Sequence, residues 1–536
     1  MTDIEIPLGK RTRKYRFFEI LPGVLSLAII LLPIVLGLLS PVVAGVFIIT
    51  YIIAWFVKSL GMAFRAIQGY NTLQKAQKVD WYHRLSELEN PAVALTTARD
   101  RGWHHDVHTR NLERLSKLDS HLKPSELLNL VLIPTYNENE DILEPTIQSV
   151  LASHYDHDHL ILALAYEQRG PESNKKAVHS LLKKYRKGLF HAVAIEHPKD
   201  LPNEVVGKGG NTSWAGKQLK AWLEKEQIDP ERVIVTTLDS DNRPHPSYFA
   251  YVSYAYIVDP NRRHRAFQPI ALYLNNIWDV PAPMRVLATG NSFWTIISSL
   301  RPHLLRNFAA HSQPMSSLID TNFWSTRTIV EDGHQFWRSY FTYDGDYDVV
   351  PIYVPIYQDA VLSDTYQGTM KAQFVQVRRW AYGASDIAYV ADKGFRKDRT
   401  VPLWNLLAKF FRLVDSHVSW ASASIILAFG AWAPLLTNAN SSRSILAHQL
   451  PNVVSTLQQV ATVQLFIMIF LSFKMLPPRP ARYKRRRNIW MLLQWLTMPV
   501  VTILYGSCAA IYAQTRLLTG RYLDRYDVTD KTVKSD

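Results

Sequence analysis

Val233-Ile234-Val235-Thr236-Thr237-Leu238-Asp239-Ser240-Asp241 is a run of apolar and β-branched residues that stops on two carboxylates. It is too short for a typical helix, and its composition fits a strand buried on both faces. Leu128–Ile133, Leu160–Ala165 and Phe190–Ile195 share this character. Between these runs the pattern turns helical, over Asp141–Ser153, Glu172–Lys187 and Asn211–Glu226. Alternation of this kind predicts an α/β domain with a mainly parallel sheet covered on both faces. Ligands then sit at the carboxyl ends of the strands.

Outside this middle region the chain is apolar in long stretches. A helix needs about 20 apolar residues to cross a hydrocarbon core. Phe17–Leu39 and Val42–Phe64 meet this and read as a helical hairpin turning at Ser40-Pro41. Val418–Leu436 and Val453–Met475 are further spans, with Asn438–Asn452 as a short external loop. Ile489–Ala513, interrupted by Pro499 and Gly506, is either a fifth span or a re-entrant pair. Val401–Leu413 reads either as an amphipathic helix on the membrane surface or as an ordinary surface helix. The expected segments are a transmembrane hairpin at 1–64, linking helices at 65–125 and the α/β domain at 126–400. An interface helix at 401–416, a transmembrane region at 417–513 and a tail at 514–536 follow. The basic, then apolar, N-terminal segment has no convincing cleavage site and reads as a retained helix.

The net charge of +14 could suggest nucleic acid. The basic residues, however, flank the apolar runs: Lys10, Arg11, Arg13, Lys14 and Arg16 before the first, Lys484–Arg487 after the fourth. That is the pattern of cytosolic membrane boundaries, with attraction to anionic lipid as a second contribution. The single cysteine, Cys508, excludes an internal disulfide framework and a cysteine zinc site. His104, His105 and His108, and likewise His154, His157 and His159, read as solvated loop histidines.

Four short motifs carry the chemistry. Asp239 and Asp241, one residue apart on an extended turn, can hold one hard divalent cation together with diphosphate oxygens; the competing reading is a solvated acidic turn. Glu331-Asp332 offers a general base, Asp332, supported by Glu331, or else an acidic pair that favours a helix N-terminus. On a helix, Gln376, Arg379 and Trp380 share one face, presenting an amide, a guanidinium and an indole; Trp380 could equally anchor at a bilayer interface. The fourth motif is Pro134-Thr135-Tyr136-Asn137-Glu138 at the end of the opening strand.

This set, in this order over roughly 128–400, resembles family 2 glycosyltransferases, specifically the processive membrane branch of cellulose, chitin and hyaluronan synthases. The resemblance implies a GT-A-like, Rossmann-like cytosolic domain inserted between transmembrane helices, a UDP-sugar donor, and Mg²⁺ or Mn²⁺ at Asp239 and Asp241. It implies Asp332 as base, with Gln376, Arg379 and Trp380 at the acceptor entrance and diphosphate. Thr135, Tyr136, Glu138, Glu167, Lys208 and Asp239 fall where the family contacts the nucleotide, Glu167 standing where aspartate is usual. Gly207-Lys208-Gly209-Gly210-Asn211 resembles the lysine loop near the diphosphate, or is a glycine-rich turn opening the next helix. Thr289-Gly290-Asn291-Ser292 lies where the family has an acceptor-side turn. Tyr526-Asp527-Val528-Thr529-Asp530-Lys531 resembles a gating loop in which Thr529 and Lys531 reach the substrate; the alternative is a disordered polar tail.

The function expected is inverting sugar transfer to a growing polysaccharide at the plasma membrane, coupled to export. Transfer to a lipid carrier and a catalytically silent scaffold are the alternatives. Expected partners are the UDP-sugar, a polysaccharide or lipid-linked acceptor and membrane lipids, with no nucleic acid.

Overall fold

The computed structural model describes residues 4–97, 102–438 and 445–525. Its centre is one eight-stranded sheet: β1 (Leu128–Thr135), β2 (Leu160–Glu167), β3 (His191–His197), β4 (Val233–Thr237), β5 (Arg243–Pro244), β6 (Arg265–Leu272), β7 (His311–Pro314) and β8 (Asp348–Tyr357). The strand order is β3-β2-β1-β4-β7-β6-β8-β5. β1, β2, β3 and β4 run parallel, as the sequence predicts. Every residue of β1, β2 and β4 is buried, and each fully buried aliphatic side chain contributes about 1.5–3 kcal/mol.

The sheet is mixed rather than mainly parallel. β7 is antiparallel to both β4 and β6, and β5 is antiparallel to β8, while β6 and β8 pair in parallel. The β6–β8 register slips between Pro269 and Ile270, where Pro351 and Pro355 also interrupt the ladder. Proline has no N–H to donate, so the pairing jumps at these points. The directions nonetheless converge. The carboxyl ends of β1, β2, β3, β4, β6 and β8 and the start of β7 share one edge, because Thr237 pairs with His311.

Among the described residues, five helical stretches have the length and composition to cross a membrane: Arg13–Leu39, Pro41–Ala76, Leu403–Thr437, His448–Met475 and Arg487–Thr519. Ser40 separates the first two and caps the second, its hydroxyl accepting from Val43 N with Pro41 in the first turn. The second helix runs on to Ala76, past the expected boundary at 64. The expected surface helix and the span after it merge into one helix, Leu403–Phe429. Its first turns pack on the α/β domain through Leu406 and Phe410, with Lys409 Nζ 5.5 Å from the Tyr340 ring centroid.

The run 487–519 starts and ends against the domain side. Arg487 Nη2 donates to Trp278 O (2.8 Å). At the other end Arg16 donates to Leu517 O and Leu518 O, and Leu523 N donates to the Tyr382 hydroxyl. Between these ends, a π-helical turn at Thr502–Ser507 lies on helix Leu403–Phe429, with Ser507 Oγ 2.5 Å from Ser424 Oγ. Glu19, buried in the first helix, binds Arg11, Arg16 and the Tyr522 hydroxyl. The basic residues flanking the apolar helices meet the α/β domain as well: Lys14 Nζ donates to Phe395 O, and Arg482 pairs with Asp279.

Candidate active site

The β1 end is tied to the acidic turn by one carboxylate. Glu138 Oε2 accepts from the Thr135 hydroxyl (2.7 Å), Tyr136 N and Asn137 N, while Oε1 accepts from Ser240 Oγ at 2.8 Å. Thr135 Oγ1 accepts in turn from Asn174 Nδ2. Asn211 bridges the ends of β1 and β2 by donating to Ala165 O and Thr135 O. Thr135, Glu138 and Asn211 therefore fix the geometry of the edge. The Tyr136 ring instead lies beneath Arg169, whose guanidinium carbon is 5.3 Å from the ring centroid.

Glu167 is buried at the end of β2. It pairs with Arg169 and with His197 Nδ1 (3.1 Å), and His197 Nε2 lies 3.1 Å from Glu204. Burial opposes a charge on His197, but the hydrogen bonds and charges of the two glutamates outweigh it, and its pKa rises to about 9. This chain of charges leads into the lysine loop. Helix Lys208–Lys225 begins there, and Lys208 Nζ lies 2.6 Å from Asp239 Oδ1. A Cβ on Gly209 would collide with Ser325 O and crowd Glu331, so only glycine lets the loop come this close.

The acidic turn after β4 is braced on all sides. Asp239 N donates to Asn242 Oδ1, Asn275 Nδ2 donates to Asp241 O, and Asp359 N donates to Asp241 Oδ2 at 3.2 Å. Glu331 and Asp332 open helix Glu331–Thr342. Burial and the charge of Asp332 push Glu331 up to about 7, against the pull of Lys208 and Arg379. Buried His311, which feels Asp332 and Lys208, is held low by desolvation.

One half-buried side chain feels several charges of the cleft. Tyr273 follows β6, and its hydroxyl is driven well above its ordinary pKa by burial and then by Asp239, Asp241 and Asp332, with Arg379 opposing. Its ring lies 6.3 Å from that of Trp380. Gln376, Arg379 and Trp380 occupy helix Tyr366–Ala381, as their spacing predicts, and Gln373 Nε2 donates to Gln376 Oε1. Asp239, Asp241, Asp332 and Arg379 thus all act on Tyr273, with Trp380 beside it and Lys208 held on Asp239.

Two expectations are corrected. Thr289-Gly290-Asn291-Ser292 is not a turn but the interior of helix Ala282–Ser299; one glycine does not break so long an apolar helix. Ser292 Oγ still serves the cleft, accepting from Tyr273 N at 3.0 Å. His108 is not a solvated loop residue: it is buried between the Tyr254 hydroxyl and Glu87. Sequence reasoning missed Tyr273, Asp359, His197 and Asn174. The available signal was Asn275 and Asn276 beside Tyr273, directly after an apolar run.

Asp239 and Asp241 are suited in chemistry to a hard divalent cation, and Asp239 Oδ1 already faces a positive charge, that of Lys208. Among the described residues no three ligating side chains gather into a cage. Mg²⁺ or Mn²⁺ here would complete its shell with phosphate oxygens and water. Thr529 and Lys531 lie outside the described residues. The chain leading to them does approach the cleft, since Arg525 forms a parallel bridge with Val206, beside the lysine loop.

No protein-family model matches the chain, and no curated protein matches it. Among solved structures it is similar to a mannosyltransferase from Pyrobaculum calidifontis in complex with GDP-Man and Mn²⁺, at 16% identity and a TM-score of 0.38, covering 78% of this chain and 99% of that one. It is also similar to S. aureus TarS 1–349 in complex with UDP-GlcNAc, at 11% identity and a TM-score of 0.34, covering 75% and 95%. A third is GalNAc-T7 with UDP, GalNAc and Mn²⁺, at 12% identity and a TM-score of 0.32, covering 55% and 58%.

Proposed function

We propose that this chain is an inverting membrane glycosyltransferase that passes a sugar from a UDP-sugar to a growing polysaccharide. The supporting observation is the convergence on Tyr273 of two metal-type carboxylates, Asp332, and the Arg379 and Trp380 of one helix. Asp332 takes the proton of the attacking hydroxyl. Lys208 and Arg379 offset the negative charge that grows on the departing diphosphate. Asp239 and Asp241 would hold a dication, which would supply Lewis-acid stabilisation of the same charge. Trp380, beside Tyr273, offers its face to the acceptor ring. Tyr136 and the Glu167–Arg169 pair line the nucleotide side.

The membrane reading rests on the five apolar helices. The basic flanks touch the α/β domain, which by the positive-inside rule supports a cytosolic domain; the plasma membrane is part of the same proposal. The run 487–519 is re-entrant, since both of its ends meet the domain side. This sends Arg525 to the lysine loop. Helix Tyr366–Ala381 also packs on the membrane-side helices, with the Phe374 and Tyr512 ring centroids 6.2 Å apart. An acceptor held at Trp380 therefore sits between the cleft and the bundle, which favours a polymer leaving through it.

The test is UDP release from purified protein offered UDP-glucose, UDP-N-acetylglucosamine and UDP-glucuronate, with Asp332→Asn alongside. Donor-dependent release and a high-molecular-weight product are expected; the variant binds UDP and transfers nothing. A short, solvent-extractable product would move the reading to a lipid carrier. Normal turnover by Asp332→Asn would overturn it.

A further inference from the structure

Helices Pro41–Ala76 and Ile445–Met475 leave a cavity of about 530 Å³ between them. Pockets of ~300–1,000 Å³ are the size that holds a small organic ligand. Ile67, Val463, Phe466 and Phe470 make its walls, and Asn71 and Lys474 close one end. Asn71 and Lys474 lie in the last turns before these helices stop at Ala76 and Met475. That end faces the α/β domain, since Trp278 Nε1 donates to Pro477 O just beyond it.

The walls are not covered by protein: Val463 is 60%, Phe466 65% and Phe470 61% exposed. Lys474 Nζ lies 5.6 Å from the centroid of the Phe470 ring and makes no ion pair among the described residues. A cation at the end of an apolar trough, where two apolar helices emerge on their basic side, is complementary to one kind of molecule. That molecule carries an apolar chain and a net negative, phosphate-bearing head. A zwitterionic lipid satisfies the trough but not the unpaired charge.

We propose that this groove binds an anionic phospholipid of the surrounding bilayer, with an acyl chain along Phe466 and Phe470 and its phosphate on Lys474. Asn71 supplies the hydrogen-bonding group beside the headgroup. The inference rests on the membrane reading of these two helices and not on sugar transfer, so the failure of either leaves the other standing. The site also has a route to the cleft. Trp278, which touches Pro477, is five residues from Tyr273, a reach of at most about 18 Å.

The experiment uses the full chain in nanodiscs of phosphatidylcholine. These are doped with phosphatidylglycerol or phosphatidylcholine carrying a photoactivatable group in the acyl chain, and cross-links are mapped by mass spectrometry. Phosphatidylglycerol is expected to label 463–474 about fivefold more than phosphatidylcholine, the factor one lysine contributes near an anionic headgroup. Lys474→Gln should erase that excess and Lys474→Arg restore it, while labelling of the exposed Leu31 and Val35 face stays constant and reports an intact fold. Ile67→Trp, which fills the groove and leaves the lysine in place, should lower labelling by both lipids. Equal labelling by the two lipids, or an excess that survives Lys474→Gln, would mean ordinary solvating lipid and overturn the proposal. Displacement of the probe by a polyprenyl phosphate but not by excess phosphatidylglycerol would overturn it too, by naming a different occupant.

Discussion

Lys208 Nζ sits 2.6 Å from Asp239 Oδ1, joining a glycine-rich loop to an acidic turn 31 residues further on. The contact puts one mobile-headed cation at the mouth of a cleft otherwise rich in carboxylates. In a site where diphosphate leaves, that ammonium can exchange its partner from Asp239 to the leaving group as charge develops.

Replacing Lys208 by methionine is therefore expected to lower kcat/KM for the donor by about 10²–10³, the usual effect of losing one pre-placed donor to a developing anion. Lys208→Arg should recover part of this. Steady-state UDP release measures both; unchanged kcat/KM in the methionine variant would remove Lys208 from the chemistry.

Tyr273 and Trp380 stand with ring centroids 6.3 Å apart, on the side of the cleft proposed for the acceptor. Loss of an aromatic face costs about 0.5–1.5 kcal/mol, or roughly two- to tenfold. Trp380→Ala should raise the acceptor KM by that factor and leave donor affinity untouched. Calorimetric UDP binding and acceptor titration separate the two; a weakened UDP affinity would place Trp380 on the donor side.

Burial and Asp332 raise Glu331 from an ordinary 4.5 to about 7. Between these values the folded protein keeps a proton that the unfolded chain has released, so stability falls as pH rises through that window. At pH 8 the penalty amounts to about 3 kcal/mol. Glu331→Gln, which cannot ionise, should raise the melting temperature at pH 8 and change it little at pH 4. Equal shifts at both pH values would show that the carboxyl is not held protonated.

The first four strands are legible in the sequence because they are short and carry mostly apolar runs, with helical segments between them. The last four are not. Pro269, Pro351 and Pro355 break their alternation, and buried Gln268 and Gln313 look like loop residues. Only tertiary partners make them strand positions: Gln268 Nε2 donates to Ala310 O, and Gln313 Nε2 to the Tyr347 hydroxyl. The acidic motifs were legible as residue types, but Tyr273 was not, because it directly follows the strand that the prolines conceal. The Glu167–His197–Glu204 chain joins side chains from separate segments, and no spacing rule connects them. The merging of 401–413 with the next helix was hidden by its charge pattern, since Lys409 settles on aromatic rings of the domain instead of facing solvent.

The lysine loop is held from both flanks by distant parts of the polypeptide. Arg525 pairs with Val206 on one side. On the other, Glu5 binds Ser325 and Arg338, and Ser325 lies against Gly209. During synthesis Glu5 is available at once, but Arg525 emerges from the ribosome long after the strands have formed. A nascent chain would carry every acidic group of the cleft and still lack a firmly seated ammonium. Under the proposed function, competence would then arrive in a single late step, when the final segment docks, which would guard against premature turnover by a half-built molecule.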